Sequence, residues 1–241
     1  MSSSSRLFSL LPLLCFSLLL QLTLATNPTF YSCSSSSGNF SANDPYNQNL
    51  NNLTSYLDSL TPLTGFGSAS IGLNQTQVTG LALCRGDINS TDCQTCVDGA
   101  IVQVQNICPF KKAAFVWYDY CQLKYSNLDF LGQIDYQDWS ALENPINASN
   151  PVYFNEKVNE LLTDLEGVAY TSPTMYASGT LEIGNSTTLY GFVQCTRDLS
   201  STNCKTCIDI AIKVFPYGKI GAKIVSANCN ARVEIYPFLN T

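Results

Sequence analysis

The stretch CRGDINSTDCQTC, residues 84–96, and the stretch CTRDLSSTNCKTC, residues 195–207, share one cysteine spacing. In both, eight residues separate the first cysteine from the second, and two residues separate the second from the third. Each stretch therefore ends in a Cys-x-x-Cys pair. Such a pair can be a redox-active dithiol, half of a zinc site, or the ends of two separate disulfides.

The similarity between the two stretches extends well beyond their cysteines. At an offset of 111 residues, the segment 95–101 aligns with 206–212, and at an offset of 108 residues the segment 46–57 aligns with 154–165. Internal similarity of this length indicates a tandem duplication. We therefore expect two units of the same fold within one chain.

Each unit has the same predicted order of elements. Apolar residues at 46, 50, 53, 57 and 60, and again at 154, 158, 161, 165 and 168, have the spacing of an amphipathic helix. A Ser/Thr/Gly-rich loop, a strand, a second helix and two extended segments follow. The predicted strands are 78–84, 113–118 and 121–125 in the first unit, and 189–195, 222–225 and 230–236 in the second. Two helices against an antiparallel sheet make each unit α+β, with a linker near residues 132–150.

The composition excludes several classes of function. The chain has 18 acidic and 12 basic residues and a net charge of −6, so nucleic acid and anionic membranes are not expected partners. It contains no histidine, which removes Ser-His-Asp and Cys-His catalysis and any histidine-ligated metal. We predict a protein without cofactor or metal that is not an enzyme.

The first residues predict secretion. Residues 7–24 are almost wholly apolar, and Thr23-Leu24-Ala25 supplies the small residues of a cleavage site. We expect residues 1–25 to be a signal peptide removed after Ala25, together with Cys15. The alternative is an uncleaved membrane anchor. No second apolar run follows, so we expect no membrane span in the mature chain and an extracellular location.

Six Asn-x-Ser/Thr sequences fit the secretory route as predicted N-glycosylation acceptors, and such positions must face solvent. They are Asn39, Asn52, Asn74, Asn89, Asn147 and Asn185.

The ten remaining cysteines favour structural disulfides. Six lie in the first unit and four in the second, and even numbers in a secreted chain favour pairing within each unit. Cys33 and Cys108 have no counterparts in the second unit, and their joint absence there indicates that they bond to each other. A zinc site would need ligands from both units, so it is disfavoured. A redox pair at Cys93/Cys96 lacks a thioredoxin-like context, and the cysteine eight residues upstream competes for either thiol.

The duplicated Cys-x8-Cys-x2-Cys core resembles that of the plant cysteine-rich repeat secretory proteins, which are built from ginkbilobin-like domains. GNFSAN at 38–43 and CNARVEIYPF at 229–238 carry the same resemblance. It implies domains at 27–135 and 143–241, each with two helices packed on a five-stranded antiparallel sheet. It also implies the disulfides Cys33–Cys108, Cys84–Cys93, Cys96–Cys121, Cys195–Cys204 and Cys207–Cys229.

The resemblance also implies a function. It predicts a secreted, non-enzymatic binding protein of the plant apoplast with a role in defence or stress response. Its partners would be cell-wall or fungal carbohydrate or the ectodomains of receptor-like kinases. Antifungal members of the family bind mannose through an Asn, an Arg and a Glu. The aligned positions of the first unit hold Ser34, Phe115 and Ser126, none of which matches. In the second unit, Lys223 and Glu234 keep the charge types and are the candidate sugar-binding residues. A mannose-binding antifungal protein and an extracellular thiol-disulfide redox protein are the alternatives.

The aromatic run FVWYDY at residues 115–120 allows two interpretations. Aromatic side chains often hold sugar rings or partner proteins. Strand alternation would instead place half of them in the core, and we favour the core.

Overall fold

The computed structural model describes residues 27–184 and 187–240. The predicted signal peptide with Cys15 and the predicted acceptor Asn185 lie outside the described residues.

The first unit places two α-helices on one face of a five-stranded antiparallel sheet. The helices are α1 (Pro45–Thr64) and α2 (Ser90–Ile107). The strands are β1 (Phe30–Cys33), β2 (Phe66–Ile71), β3 (Val78–Cys84), β4 (Ala114–Trp117) and β5 (Cys121–Ser126), in the spatial order β1-β4-β5-β3-β2. A short 3₁₀ turn, Asn74–Thr76, connects β2 to β3.

The second unit repeats this arrangement. Its helices are α3 (Pro151–Ala169) and α4 (Ser201–Lys213). Its strands are β6 (Trp139–Glu143), β7 (Tyr176–Glu182), β8 (Thr188–Cys195), β9 (Ala222–Ser226) and β10 (Cys229–Glu234), in the order β6-β9-β10-β8-β7. The equivalent strand order confirms the predicted duplication and the α+β class.

The sequence around the cysteine motif forms a strand, a turn and a capped helix. Cys84 ends β3, and the Asn89 side chain accepts a hydrogen bond from the backbone N–H of Asp92, which caps the start of α2. Ser200 caps α4 in the same way by accepting from Asn203. The eight-residue spacing is therefore the length needed to leave the strand, turn and enter the helix.

The ten cysteines within the described residues form five disulfides, and the pairs are those that the resemblance implies. They are Cys33–Cys108, Cys84–Cys93, Cys96–Cys121, Cys195–Cys204 and Cys207–Cys229. In each Cys-x-x-Cys pair, the first cysteine bonds back to the preceding strand, and the second bonds forward to β5 or β10. Neither pair forms an internal disulfide.

Strands occupy two kinds of segment that the sequence predicts to be loop or linker. β2 and β7 lie in the Ser/Thr/Gly-rich segments, and β6 lies within the predicted linker at 132–150. Small residues suit β2 because α1 packs closely on it: a Cβ at Gly67 would lie 2.8 Å from Oγ1 of Thr61. β6 joins the second sheet as its edge, and Trp139 packs against the second core.

Each unit has its own core between the helices and one sheet face, and the opposite sheet faces pack against each other. In β4, Ala114 and Val116 point into the first core. Phe115 and Trp117 alternate with them and form a cluster with Val225 of the second unit. β3, β4 and β5 are consequently buried on both faces.

Candidate functional site

The candidate sugar-binding residues Lys223 and Glu234 lie inside the contact between the two units. Lys223 is 5% exposed, and its Nζ donates to Oδ1 of Asp119 in the first unit at 2.9 Å. Glu234 is 8% exposed and accepts from Nε of Arg232 at 3.1 Å. Both charges therefore already have partners within the chain, and a role for this pair in sugar binding stays a prediction.

Burial dominates the electrostatics of this ion pair. It lowers the pKa of Lys223 to about 8, although the Asp119 carboxylate acts in the opposite direction. Burial also raises the pKa of Asp119, but the attraction of Lys223 and Arg232 is stronger, so the net pKa lies below the ordinary value. Both groups are mainly charged at neutral pH, and they connect the two sheets.

Arg85 forms a second connection between the units. It is 5% exposed, and its Nε donates to Oδ1 of Asp87 at 2.6 Å while Nη2 donates to the carbonyl of Phe238 at 3.2 Å. The guanidinium carbon lies 5.1 Å from the ring centre of Tyr120 and 5.7 Å from that of Phe192. The C-terminal segment of the second unit is thereby held against the first unit.

The positions that align with the sugar site of the family lie at a groove in the first unit. Ser34, Phe115 and Ser126 line a groove of about 500 Å³ between the first sheet and the connecting segment 127–138. We call this the linker groove. Its remaining polar and aromatic lining includes Ser36, Ser37, Lys124, Asp129, Phe130, Gln133, Asp135, Tyr136, Gln137 and Asp138.

One ion pair fixes the inner wall of the linker groove. Nζ of Lys124 lies 2.9 Å from Oδ2 of Asp135 and 4.6 Å from the ring centre of Phe130. Burial raises the pKa of Asp135, but hydrogen bonds from the Gln137 backbone and from Lys124 outweigh it and bring the pKa below its ordinary value. The backbone N–H of Asp135 donates to Oδ1 of Asn228 at 2.7 Å, so the second unit also supports this wall.

The linker groove is suited to a neutral ligand with many hydroxyl groups. Serine hydroxyls, glutamine amides and carboxylates offer both donors and acceptors of hydrogen bonds. Among the described residues that line the groove, Lys124 is the one cation, and Asp135 already balances its charge.

The aromatic run 115–120 is mostly buried, half of it in the core as strand alternation predicts and half between the two sheets. Phe115 and Trp117 are buried between the sheets, while Val116 and Tyr118 are buried in the first core. Tyr120 is 40% exposed.

The contact between the two sheets is the feature that the sequence patterns did not predict. The apolar runs at residues 80–84 of β3 and throughout β4 could have indicated it, because strands buried on both faces lack alternation.

Among the described residues, the five predicted glycosylation acceptors have exposed side chains: Asn39, Asn52, Asn74, Asn89 and Asn147. Asn89 also caps α2. Their glycosylation stays a prediction.

Within residues 27–184 and 187–240, no cluster of three or more acidic, cysteine or histidine side chains is placed to hold a metal ion. In the same part of the chain, the helices are too short or too polar to cross a membrane.

Comparisons with known proteins agree with the geometry. The family model described as salt stress response/antifungal matches residues 32–128 and 142–236, once in each unit. An antimicrobial ginkbilobin-2-like protein of Castanea crenata is 44% identical over 230 residues, which are 92% of this chain and 95% of the relative. Cysteine-rich repeat secretory protein 38 of Arabidopsis thaliana is 44% identical over 217 residues, or 88% of this chain and 86% of the relative.

Two solved structures have the same fold. They are the tandem DUF26 ectodomains of the Arabidopsis thaliana cysteine-rich receptor-like proteins PDLP8 and PDLP5. The TM-scores are 0.77 and 0.69, with sequence identities of 24% and 26%. Each match covers 88% of this chain and 99% or 100% of the ectodomain.

The relatives are secretory proteins and ectodomains, and the chain carries five disulfides of the kind that persist in oxidising compartments. The protein is secreted. With one match in each unit, the chain belongs to the salt stress response/antifungal (DUF26) family of cysteine-rich repeat secretory proteins.

Proposed function

We propose that this secreted protein is a non-enzymatic binding protein of plant antimicrobial or stress response, and that it recognises carbohydrate in the linker groove. One observation carries the proposal. In the first unit, the positions of the family's sugar site line the linker groove, where Ser34 and Ser126 contribute hydroxyls, whereas Lys223 and Glu234 of the second unit are held in ion pairs. The name of the Castanea crenata relative supports the antimicrobial role.

The dimensions and chemistry of the groove suit a short neutral glycan. Ligand pockets in proteins usually have volumes of roughly 300–1,000 Å³, and the groove falls within that range at about 500 Å³. Phe130 and the 66% exposed Tyr136 offer aromatic faces for a sugar ring. Three carboxylates and one paired lysine disfavour acidic sugars.

A glycan array followed by calorimetric titration of the secreted chain tests the proposal. We expect saturable binding to neutral glycans and weakening by about 5-fold in Tyr136→Ala, which removes a stacking surface. The matched control is Tyr217→Ala, because Tyr217 is 61% exposed but lies outside the groove. Absence of binding to every glycan, or equal losses in the two variants, would refute carbohydrate recognition in this groove.

A protein partner is the second candidate, and a surface of the second unit favours it. Trp139, Ala141, Ile210, Val214 and Ile224 line an apolar groove of about 400 Å³ between β6 and α4. The two structural neighbours are ectodomains of receptor-like proteins, so we propose such an ectodomain as the partner. Val214→Asp should abolish its capture in a pull-down assay. Val102→Asp, at a similarly exposed position of the first unit, should not.

A further inference from the structure

A second cavity, of about 460 Å³, lies on the first unit between α2 and the turn that follows β4. We call it the α2 pocket. Its lining includes Thr29, Asp92, Thr95, Gly99, Gln103 and Tyr118, and it shares no lining residue with the linker groove. The proposed carbohydrate site does not account for it.

A glycine in the middle of α2 keeps the pocket open. Glycine destabilises a helix interior relative to alanine, so a helical glycine usually has a packing reason. At Gly99 the described residues give no such reason, because none of their atoms would lie within 4 Å of an added Cβ. The second unit has Ile210 at the aligned position. The first unit therefore retains open space where its copy carries a large side chain.

A buried hydroxyl in the pocket wall lacks a partner. Tyr118 is 6% exposed, and its hydroxyl makes no hydrogen bond to any described residue. Burial also raises the pKa of this phenol, so it stays neutral and able to donate. The second unit has Ser226 at the aligned position, and that hydroxyl donates to the carbonyl of Cys229 at 3.0 Å. Because buried hydroxyls are normally bonded, Tyr118 is suited to donate to a ligand.

The other polar groups of the pocket mainly accept hydrogen bonds. The hydroxyl of Thr29 donates to the carbonyl of Trp117 at 2.9 Å, and that of Thr95 donates to the carbonyl of Thr91 at 3.0 Å. Their oxygen lone pairs remain available, and Asp92 adds a carboxylate. Gln103 can both donate and accept, so a ligand that donates several hydrogen bonds suits the pocket.

The charge and shape of the α2 pocket further limit the chemical class of ligand that it can bind. The lining contains the carboxylate of Asp92 and that of Asp119, which is paired with Lys223, and it contains neither lysine nor arginine among the described residues, which disfavours anions. The partly exposed ring of Tyr120 adds an apolar face of the kind that packs against a sugar ring. Hydroxyl groups around a ring with an apolar face meet all of these requirements.

We propose that the α2 pocket is a second ligand site, independent of the linker groove, and that it binds one neutral pyranose unit.

Titration of the full secreted chain with methyl α-glucopyranoside, methyl α-mannopyranoside and glucuronate, followed by NMR chemical shifts, tests the proposal. At least one neutral pyranoside should shift the signals of α2, and glucuronate should not. Gly99→Ile introduces the residue of the second unit and should weaken binding at least 10-fold. Gly167→Ile is the matched control, since Gly167 also lies in a helix with open space above it but in the second unit.

Tyr118→Phe separates ligand binding from a structural role. Removing a buried hydroxyl that lacks a partner should leave the melting temperature unchanged or higher, while the loss of one hydrogen bond should weaken pyranoside binding by about 5-fold.

Absence of pyranoside binding, equal affinity in Gly99→Ile and the native chain, or equally tight binding of glucuronate would overturn the proposal. Loss of binding in Tyr136→Ala but not in Gly99→Ile would place the sugar in the linker groove alone. That result refutes the α2 pocket and leaves the proposed function intact.

Discussion

In the first unit, the side-chain amide of Gln94 bridges two carboxylates. Nε2 of Gln94 donates to Oδ1 of Asp58 at 2.9 Å and to Oδ1 of Asp98 at 2.8 Å. The adjacent Asp98 and burial raise the pKa of Asp58 from 3.8 to about 6. Between about pH 4 and pH 6, the folded chain therefore keeps a proton on Asp58 that the unfolded chain releases. The contribution of this pair to the stability of the folded chain is largest below about pH 4, and it is lost as the pH rises through 6.

In the second unit, a lysine lies between the two corresponding carboxylates. Lys205 aligns with Gln94, and its Nζ lies 3.3 Å from Oε1 of Glu166 and 2.9 Å from Oδ2 of Asp209. The ammonium group offsets the repulsion between the two carboxylates.

Gln94→Lys should therefore stabilise the chain at pH 7. The gain should be below about 1 kcal/mol, because the pair is solvated, and it should shrink at pH 4 as the carboxyls are protonated. Thermal unfolding at both pH values measures it. Gln48→Lys adds the same charge at an exposed position of α1 and is the control. If the two variants behave alike, the effect is one of net charge rather than of the carboxylate pair.

Asp119→Asn tests the ion pair between the units. The substitution leaves the Lys223 ammonium buried without a counter-charge, and the free energy of unfolding at pH 7 should fall by about 2 kcal/mol. The deficit should shrink above pH 8, because the pKa of Lys223 in the folded chain lies below its usual value and a neutral amine needs no counter-charge. Denaturant unfolding from pH 7 to pH 10 measures it. Lys223→Met, which removes the buried charge itself, should cost less, and the opposite order would contradict the explanation.

At the scale of elements, sequence patterns predicted those with a strong apolar or cysteine signal and missed those without one. The helices follow from apolar periodicity, and the central strands β3, β5, β8 and β10 follow from their apolar residues and from the cysteine positions. β2 and β7 were missed because small residues at an edge under a helix carry little β signal, as Gly67 shows. β6 was missed because its five residues, WSALE, lie in a polar segment and gain their order from pairing with β9.

The disulfide found only in the first unit should stabilise a particular element. Cys33 at the end of β1 bonds to Cys108 at the end of α2, 75 residues away. Replacing both cysteines by alanine should lower the free energy of unfolding by about 2–4 kcal/mol, because the bond closes a long loop in the unfolded chain. Urea denaturation measures this loss.

The same double variant should also show where the order is lost. Hydrogen exchange should quicken first in β1, because it is an edge strand paired only with β4. In β6, which has no such bond in the second unit, exchange should be unchanged, so equal loss of protection in both edge strands would contradict a local role.

At the scale of the whole molecule, the candidate sites depend on the contact between the units. That contact pairs Lys223 with Asp119, and it supports the wall of the linker groove through Asn228. The sequence of one unit gives no information on which surface of the other unit it contacts. The identity of each sheet's partner is a property of tertiary packing, and local periodicity reports only that a face is buried.

The face-to-face packing predicts that the two units stay together without a covalent connection. Each of the five disulfides joins two cysteines of the same unit. A protease site inserted between the exposed Leu128 and Asp129 therefore allows the units to be separated by cleavage. We expect the cut halves to co-elute in size-exclusion chromatography and to separate in urea, because Phe115 and Trp117 would otherwise face water. Trp117→Asp should separate the halves without denaturant. If the cut halves that keep Trp117 elute as separate species, the linker rather than the sheet contact holds the units together.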